Sequence, residues 1–558
     1  MFPTELKSFS QVFETTNLII YVILSCVSAL LLFYATLKFL LVLQQSGYKS
    51  KKYFKWLGSR ETPYLSRLML LCLLGFLFFM VLSMSFAPIV GELISSYVGF
   101  ISYYLFTLLY INTEKQVNAK VPLRKTARLI RLAIVYVLLL AIVNFGLMLL
   151  LDFIAYEINS NVVAILRYSI VCGLPILTPY LLFLAHCVTS PFERWISQYY
   201  IKKAKRKLEH SSVLKIGITG SYAKTSTKEI LKTILSQKYR VLATPSSYNT
   251  PLGIALTVKQ LDSTHDIFIA EMGARSKGDI KTLAEMVKAT YGVITGINSQ
   301  HLETFGNEEN IKNTKYELIE SLDNQGKAFF NSDNHGSVEL FDRFDGEKHL
   351  AGLQADNSMC YATDIELDSR GTSFTLNIRG EEPVRCTTVL LGKHAVSNIC
   401  LAAAVAYKIG LTPEEIANGI NRIQTLMHRL ELLPNNRDII IIDDSYNSNE
   451  DGVNAAMEVL DTFKGRKIVL TPGLVELGKM ENVINLKYGK ILAQHADFVF
   501  VIGKHNAEML VSGLIEGGMP RENIRFSKSL NKANEELNGF LQQGDVVLFE
   551  NDLPDNYS

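Results

Sequence analysis

Apolar positions fall into two different textures along the 558 residues. Residues 17–43, NLIIYVILSCVSALLLFYATLKFLLVL, hold a single charge, Lys38. A bilayer crossing needs about 20 mostly apolar residues, so this run predicts a spanning helix. Comparable runs occupy 68–87, 89–111, 129–151 and 164–188. Pro88, Gly91 and Glu92 punctuate the second and third runs and predict a tight hairpin between them. The first run is too long for a cleaved signal peptide and lacks a small-residue cleavage site. Five spans are expected within residues 1–190.

The loops orient those spans. Residues 44–67 carry Lys49, Lys51, Lys52, Lys55, Arg60 and Arg67, and residues 112–131 carry Lys115, Lys120, Arg124, Lys125, Arg128 and Arg131. The 88–92 hairpin and the 152–161 loop hold only Glu92, Asp152 and Glu157 as charges. Excess Lys and Arg mark cytoplasmic loops. The N-terminus is then outside, the protein sits in a bacterial-type inner (cytoplasmic) membrane, and everything after the fifth span is cytoplasmic. A basic juxtamembrane linker, 191–212, follows. Its Tyr199–Leu208 stretch reads either as a helix on the inner membrane surface or as a solvated linker helix.

From Val213 short apolar runs alternate with helix-like stretches: VLKIGITG then TKEILKTILSQ, DIFIAEMGA then DIKTLAEMV, YGVITGIN then NIKNTKYELIESL. This is the βαβ rhythm of a mostly parallel sheet. Residues 358–391 alternate with period two and predict a small antiparallel section. Thr412, Pro413, Glu414 and Glu415 have the order of an N-cap, a first helical position and an acidic first turn. A second α/β series begins at RDIIIIDDSYN and runs through GRKIVLTPG and DFVFVIG to DVVLFEN. The expected organisation is a helical membrane domain over 1–190, a first α/β domain over 213–428 and a second over 429–558.

Charge sharpens this division. Residues 1–190 hold 15 Lys and Arg against 7 Asp and Glu, whereas the remainder holds 41 against 47. An acidic second half is not a nucleic-acid platform, so no nucleic-acid partner is expected. Of the seven cysteines, Cys26, Cys72, Cys172 and Cys187 lie in apolar segments, and Cys360, Cys386 and Cys400 have no CxxC spacing. Neither a disulfide framework nor a zinc site follows.

Four features carry candidate chemistry. The first is the strand–loop–helix from Lys215 to Lys228, KIGITGSYAKTSTK. Gly220 permits a tight turn, and the N–H groups of Ser221, Tyr222, Ala223 and Ser226 can wrap phosphates at a helix N-terminus. Lys224 would reach the β/γ-phosphates and the Thr225 hydroxyl would ligate Mg²⁺. Ala223 stands where glycine normally precedes the Lys, which is tolerable if its φ stays negative. An ordinary βα turn with a chance Lys-Thr is the competing reading. The second is Glu271, at the carboxyl end of a predicted strand, where ligands of open α/β sheets gather. A carboxylate there is a natural Mg²⁺ ligand. The third is His301 in NSQHLETFG, either a metal ligand or a polar loop residue. The fourth is Lys315, which taken alone reads as one Lys on a solvated helix face.

Together these features resemble a family. Residues 213–549 are similar to the Mur ligases, ATP-dependent enzymes that add amino acids to peptidoglycan precursors. The segments that carry the likeness are ITGSYAKTSTKE (218–229), YNTPLGIALTV (248–258), AEMGA (270–274), NSQHLETFG (298–306), NIKNTKYELI (310–319), GKHAVSNICLAAAVA (392–406), HRLE (428–431), IIDDSYNSNEDGVNAA (441–456) and PGLVELG (472–478). The resemblance implies a P-loop-like central domain and a Rossmann-like C-terminal domain. It implies that Lys224 and Thr225 hold ATP phosphates and Mg²⁺, that Glu271 and His301 bind magnesium, and that Lys315 is carbamylated so that its new carboxylate helps bind a second magnesium. Asn398 would contact the nucleotide, and Arg429 and Asp444 would form an inter-domain nucleotide-binding pair. The catalytic residues implied are Lys224, His301 and Lys315. The implied reaction is attack of a carboxylate on the γ-phosphate, then displacement of phosphate by an amine to give an amide.

Two departures stand out. Spans occupy the place of the family's UDP-sugar-binding N-terminal domain. The chain ends FENDLPDNYS, where Glu550, Asp552 and Asp555 replace a Lys-Gly-Ser-Arg-like stretch. The expected partners are ATP, a carboxylate acceptor such as a lipid-linked glycan, an amino acid or amine, and membrane lipids. Competing readings are a polymerase resembling poly-γ-glutamate synthases and a non-catalytic ATP-binding scaffold or transporter subunit.

Overall fold

The computed structural model describes residues 15–58, a few isolated positions between 70 and 109, 123–157, and 161–551 apart from 247, 299–301, 324, 369, 435–437, 446–449, 476 and 478–479. The chain divides into two compact units, Met1–Ile196 and Ser197–Ser558.

The first unit is helical. Its described helices are Thr15–Ala35, Leu37–Gln45, Ser50–Leu57, Ala127–Glu157 and the beginning of Asn161–Glu209. Two described helices are long and apolar enough to cross a membrane, or three if the pair meeting at Thr36 with a 51° bend is one span. These match the runs expected at 17–43, 129–151 and 164–188. The runs at 68–87 and 89–111 lie largely outside the described residues. The bend has a local cause. Thr36 Oγ1 donates to Leu32 O at 2.6 Å and sits 2.9 Å from the Tyr136 hydroxyl. Ile130, Ile134, Leu138 and Ile142 recur every fourth residue and are each more than half exposed. A soluble helix would put polar residues on that face; an exposed aliphatic stripe suits lipid. Tyr53, Tyr136 and Leu140 are fully buried on the inner side.

The second unit contains two sheets. The larger is built from β1 (Leu214–Thr219), β2 (Val241–Ala243), β3 (Ile267–Glu271), β4 (Tyr291–Ile294), β5 (Lys327–Asn331), β6 (Glu347–Gly352), β7 (Ser358–Asp368), β8 (Gly371–Ile378) and β9 (Val384–Thr388). Their spatial order is β2-β3-β1-β4-β5-β6-β7-β8-β9. Pairing is parallel as far as β7 and antiparallel through β8 and β9. The period-two tract therefore forms the antiparallel section the alternation predicts. β1 and β3 are mostly apolar because helices cover both faces, Lys215, Thr219 and Glu271 lying at or near their ends. Lys224–Leu235 and Lys393–Ile409 contribute to one buried cluster, and Pro251–Val258, Asp279–Val287 and Glu308–Glu320 to the other. Thr412 caps the helix Pro413–Ile420 in a full capping box with Glu415.

The smaller sheet has β10 (Glu431–Leu433), β11 (Ile440–Asp444), β12 (Lys467–Thr471), β13 (Phe498–Ile502), β14 (Ile524–Ser527) and β15 (Val546–Glu550) in the order β10-β11-β15-β12-β13-β14. Only β10 is antiparallel. Where the sequence suggests a basic linker, residues 191–209 continue the helix Asn161–Glu209. Ala204 and Leu208 are buried in the core of the larger-sheet domain, with Tyr200 and Ile201 packed beside them. Lys215 Nζ donates to Leu208 O at 3.3 Å, and Glu209 pairs with Lys288 at 3.1 Å.

Candidate functional site

The site begins where β1 ends. Gly220 has φ 153. A Cβ there would lie 2.1 Å from Thr295 Oγ1, so only glycine lets the turn lie against the end of β4. The loop is fastened to that end. Ser221 N donates to Gly296 O at 2.7 Å, Thr295 Oγ1 to Tyr222 O at 2.5 Å, and Asn298 N to Ser221 Oγ at 3.2 Å. The Tyr222 ring fills the space over Gly296, where an added Cβ would meet it at 2.5 Å. Burial pushes its phenol pKa up.

Ala223 corrects an expectation. It has φ 58, in the left-handed region, not the negative φ that would make alanine harmless. A non-glycine residue there costs about 1–2 kcal/mol. The strained residue ends the loop and turns the chain into the helix Lys224–Leu235.

Lys224 Nζ donates to Gly220 O at 2.8 Å and to Ser221 O at 2.9 Å. Burial lowers its pKa to about 8, with Glu271 opposing the shift and Arg429 adding to it. Thr225 Oγ1 donates to Glu271 Oε2 at 2.9 Å. Ser226 is partly buried on the same first turn. Glu271 closes β3, with its neighbour in register being Ile218 of β1, and is 1% exposed. Its Oε1 accepts from Asn249 Nδ2 at 3.2 Å, and its own N–H donates to Thr244 Oγ1 at 3.1 Å.

Lys315 is not on a solvated face. It projects from the helix Glu308–Glu320, is 3% exposed, and lies 6.0 Å from the Phe305 ring centroid. Burial first and the Lys224 charge second lower its pKa to about 7. Asn398 is buried on the helix Lys393–Ile409 and accepts from Thr227 Oγ1 at 3.4 Å. His301 lies outside the described residues.

The link to the smaller sheet is a strained pair. His428 has φ 61 and Leu430 φ 47. His428 Nδ1 lies 2.7 Å from Asp443 Oδ2, and Leu430 N donates to Asp444 Oδ1 at 3.2 Å. Burial raises the Asp444 pKa to about 6 against the pull of the Leu430 N–H and Arg429. Arg429 thus acts electrostatically on both Lys224 and Asp444.

Mg²⁺ takes oxygen ligands, few of them from protein, and keeps waters and substrate phosphates. Thr225 Oγ1, on the first turn of the helix Lys224–Leu235, and the buried Glu271 carboxylate at the end of β3 lie side by side and fit that donor set. Among the described residues no group of three His, Cys, Asp or Glu side chains could hold a metal by itself.

Sequence reasoning passed over Lys228. It is fully buried and bonds Glu271 Oε2 at 3.2 Å and Ser246 O at 2.6 Å. The signal was present. Lys228, Leu231 and Leu235 share one face of KTSTKEILKTIL, so a lysine occupies a position the helical period assigns to the core.

The sequence pattern of the Mur ligase middle domain matches residues 218–406. That of the Mur ligase, glutamate ligase domain matches residues 428–550. The UDP-N-acetylmuramoyl-tripeptide–D-alanyl-D-alanine ligase of Bacillus subtilis is 29% identical over 353 residues, 62% of this chain and 75% of that protein. Among solved structures, MurF from Acinetobacter baumannii shares the fold with a TM-score of 0.59 at 24% identity, over 65% of this chain and 78% of that one. The MurF ligase of Thermotoga maritima in complex with ADP gives 0.57 at 24% identity, over 64% and 81%.

Proposed function

Because the chain belongs to the Mur ligase family of ATP-dependent peptide ligases through its middle and C-terminal domains, we propose that it is a membrane-anchored amide ligase of cell-envelope synthesis, working through an acyl phosphate. Its carboxylate acceptor is presented at the inner membrane surface, and an amino acid or other amine is the second substrate. The division of labour follows the domains: spans within 1–190 with the N-terminus outside, ATP chemistry in 213–428, and a closing C-terminal domain in 429–558, both in the cytoplasm.

The observation that carries this reading is the convergence of Lys224 and Thr225, opening the helix after the β1 loop, with Glu271 at the end of β3. An acceptor carboxylate oxygen attacks the γ-phosphorus and ADP leaves. The amine nitrogen then attacks the acyl carbon, phosphate leaves, and the nitrogen gives up its proton. Charge builds on the transferring phosphoryl oxygens, so preorganised donors there stabilise the transition state. Lys224 uses two of its three N–H donors on its own loop, and the third is directed to the β/γ-phosphates. The loop N–H groups of Tyr222 to Ser226 would hold the phosphate oxygens, with Asn398 on the nucleotide side; the Ser221 N–H, expected to join them, is instead taken by Gly296 O. Arg429 and Asp444 bring the C-terminal domain onto the nucleotide. Thr225 and Glu271, together with His301, would hold magnesium, which neutralises phosphate charge when bound. Lys315, as its carbamate, would supply a further oxygen ligand.

The test is the nucleotide product. Full-length protein turning over with an amine and an acceptor should yield ADP and phosphate. AMP and pyrophosphate as main products would remove the acyl-phosphate reading.

A further inference from the structure

The buried Lys228 is unaccounted for by phosphate binding. Its ammonium has three donors, and three acceptors surround it: Ser246 O at 2.6 Å, Glu271 Oε2 at 3.2 Å and Glu229 Oε1 at 3.3 Å. No N–H remains for a nucleotide. The side chain is 0% exposed, and an unpaired charge there would be strongly unfavourable.

The three acceptors belong to different parts of the site. Glu229 is on the helix of Lys224. Glu271 closes β3. Ser246 lies in the loop after β2, at φ 46, a strained turn that leads to Asn249. Asn249 in turn holds the other Glu271 oxygen at 3.2 Å. One ammonium therefore ties the phosphate-loop helix, the carboxylate and the loop that carries its second clamp.

We propose that Lys228 is a positioning residue for the magnesium site, fixing the Glu271 carboxylate in the orientation that faces Thr225. This rests on the reading of Glu271 as a magnesium ligand. A carboxylate free to rotate must be ordered when the cation arrives. One held through Oε2 by Lys228 and Thr225 and through Oε1 by Asn249 is already ordered. Partners that orient a metal ligand matter for metal affinity although they do not touch the metal. The alternative, that Lys228 is only a competing cation, predicts the opposite sign: its removal would tighten magnesium.

The experiment uses full-length protein in detergent and a fluorescent ATP analogue. Binding is measured in EDTA and then across a magnesium titration. Each variant is referred to its own binding in EDTA, because Lys228 also ties the phosphate-loop helix. Relative to that baseline, Lys228→Met should raise the half-saturating magnesium concentration roughly 10- to 100-fold. Glu271→Gln, measured beside it, should abolish the magnesium enhancement. If Glu271→Gln keeps the enhancement, the reading of Glu271 as a ligand fails and the role given to Lys228 falls with it. If Glu271→Gln is defective but Lys228→Met shows an unchanged or lower magnesium requirement, the positioning role alone is overturned. Should Lys228→Met fail to fold, the pair Lys228→Met with Glu271→Gln decides. Recovery of folding supports the clamp between the two residues, and failure to recover overturns it.

Discussion

The carbamate proposed for Lys315 depends on how burial treats its amine. The residue is 3% exposed and its pKa falls to about 7, first through desolvation and then through Lys224. Only a neutral amine attacks CO₂; in the proposed carbamylation the N–C bond would form, a proton would leave, and the resulting carboxylate could serve a metal as an ammonium could not. The neutral fraction rises from about a tenth at pH 6 to about nine-tenths at pH 8 for such a group. Protein stripped of CO₂ should thus regain activity with added bicarbonate more completely at pH 8 than at pH 6. Lys315→Ala should lose roughly 10²-fold or more in turnover and be partly rescued by small carboxylates. Full activity of that variant with an unchanged magnesium requirement would leave Lys315 a packing residue. The same shift has a stability sign. The folded state binds fewer protons than the unfolded chain between pH about 7 and the ordinary lysine value of 10.5, so this group's contribution to stability rises with pH across that window.

At the scale of elements, the strand–loop–helix from Leu214 to Leu235 was the most legible piece. Its strand is mostly apolar, its glycine sits at the turn, and Lys-Thr opens the helix. What the letters could not show was the sign of one dihedral angle. Alanine is compatible with either sign of φ at a cost, and only the hydrogen bonds of Ser221, Tyr222 and Thr295 commit Ala223 to the left-handed region. Lys228 was missed for the converse reason: its letter is common on solvated faces, and its partner, Glu271, lies 43 residues away. The helix period marked the position as inward, but nothing local named the carboxylate waiting there. The loop conformation is testable by rank order. With φ positive, Ala223→Gly should match or exceed the parent in thermal midpoint and ATP affinity, and Ala223→Val should lose both, since a β-branched residue is an outlier there. A tolerated valine together with a glycine variant weakened by about 1 kcal/mol would mean that φ is negative after all.

At the scale of the whole molecule, composition already separated a basic, apolar half from an acidic one, and hydropathy marked where one gives way to the other. It could not mark where the folded second unit begins. The helix Asn161–Glu209 runs past every apolar residue that hydropathy notices, and its last turns read only as basic. Yet Ala204 and Leu208 are buried against the larger-sheet domain, because a helix with Lys and Arg on one face still has another face to bury. A chain cut at Ser211 discards both, whereas one beginning at Ser197 keeps them. Burying a leucine contributes about 1.5–3 kcal/mol, so the Ser197 chain should melt higher than the Ser211 chain, and both should bind ATP. Equal midpoints would mean that the helix end is only draped on the domain. The spans then raise the separate question of what they add to catalysis. As the proposed platform for a membrane-held acceptor they would raise its local concentration, with no new contact with the ATP site required. The Ser197 chain should therefore join an amine to a soluble acceptor mimic as well as full-length protein does. It should fall well behind full-length protein in nanodiscs on a lipid-linked acceptor. Equal rates on the lipid-linked acceptor would reduce the spans to a tether, and the acceptor would then be sought in solution.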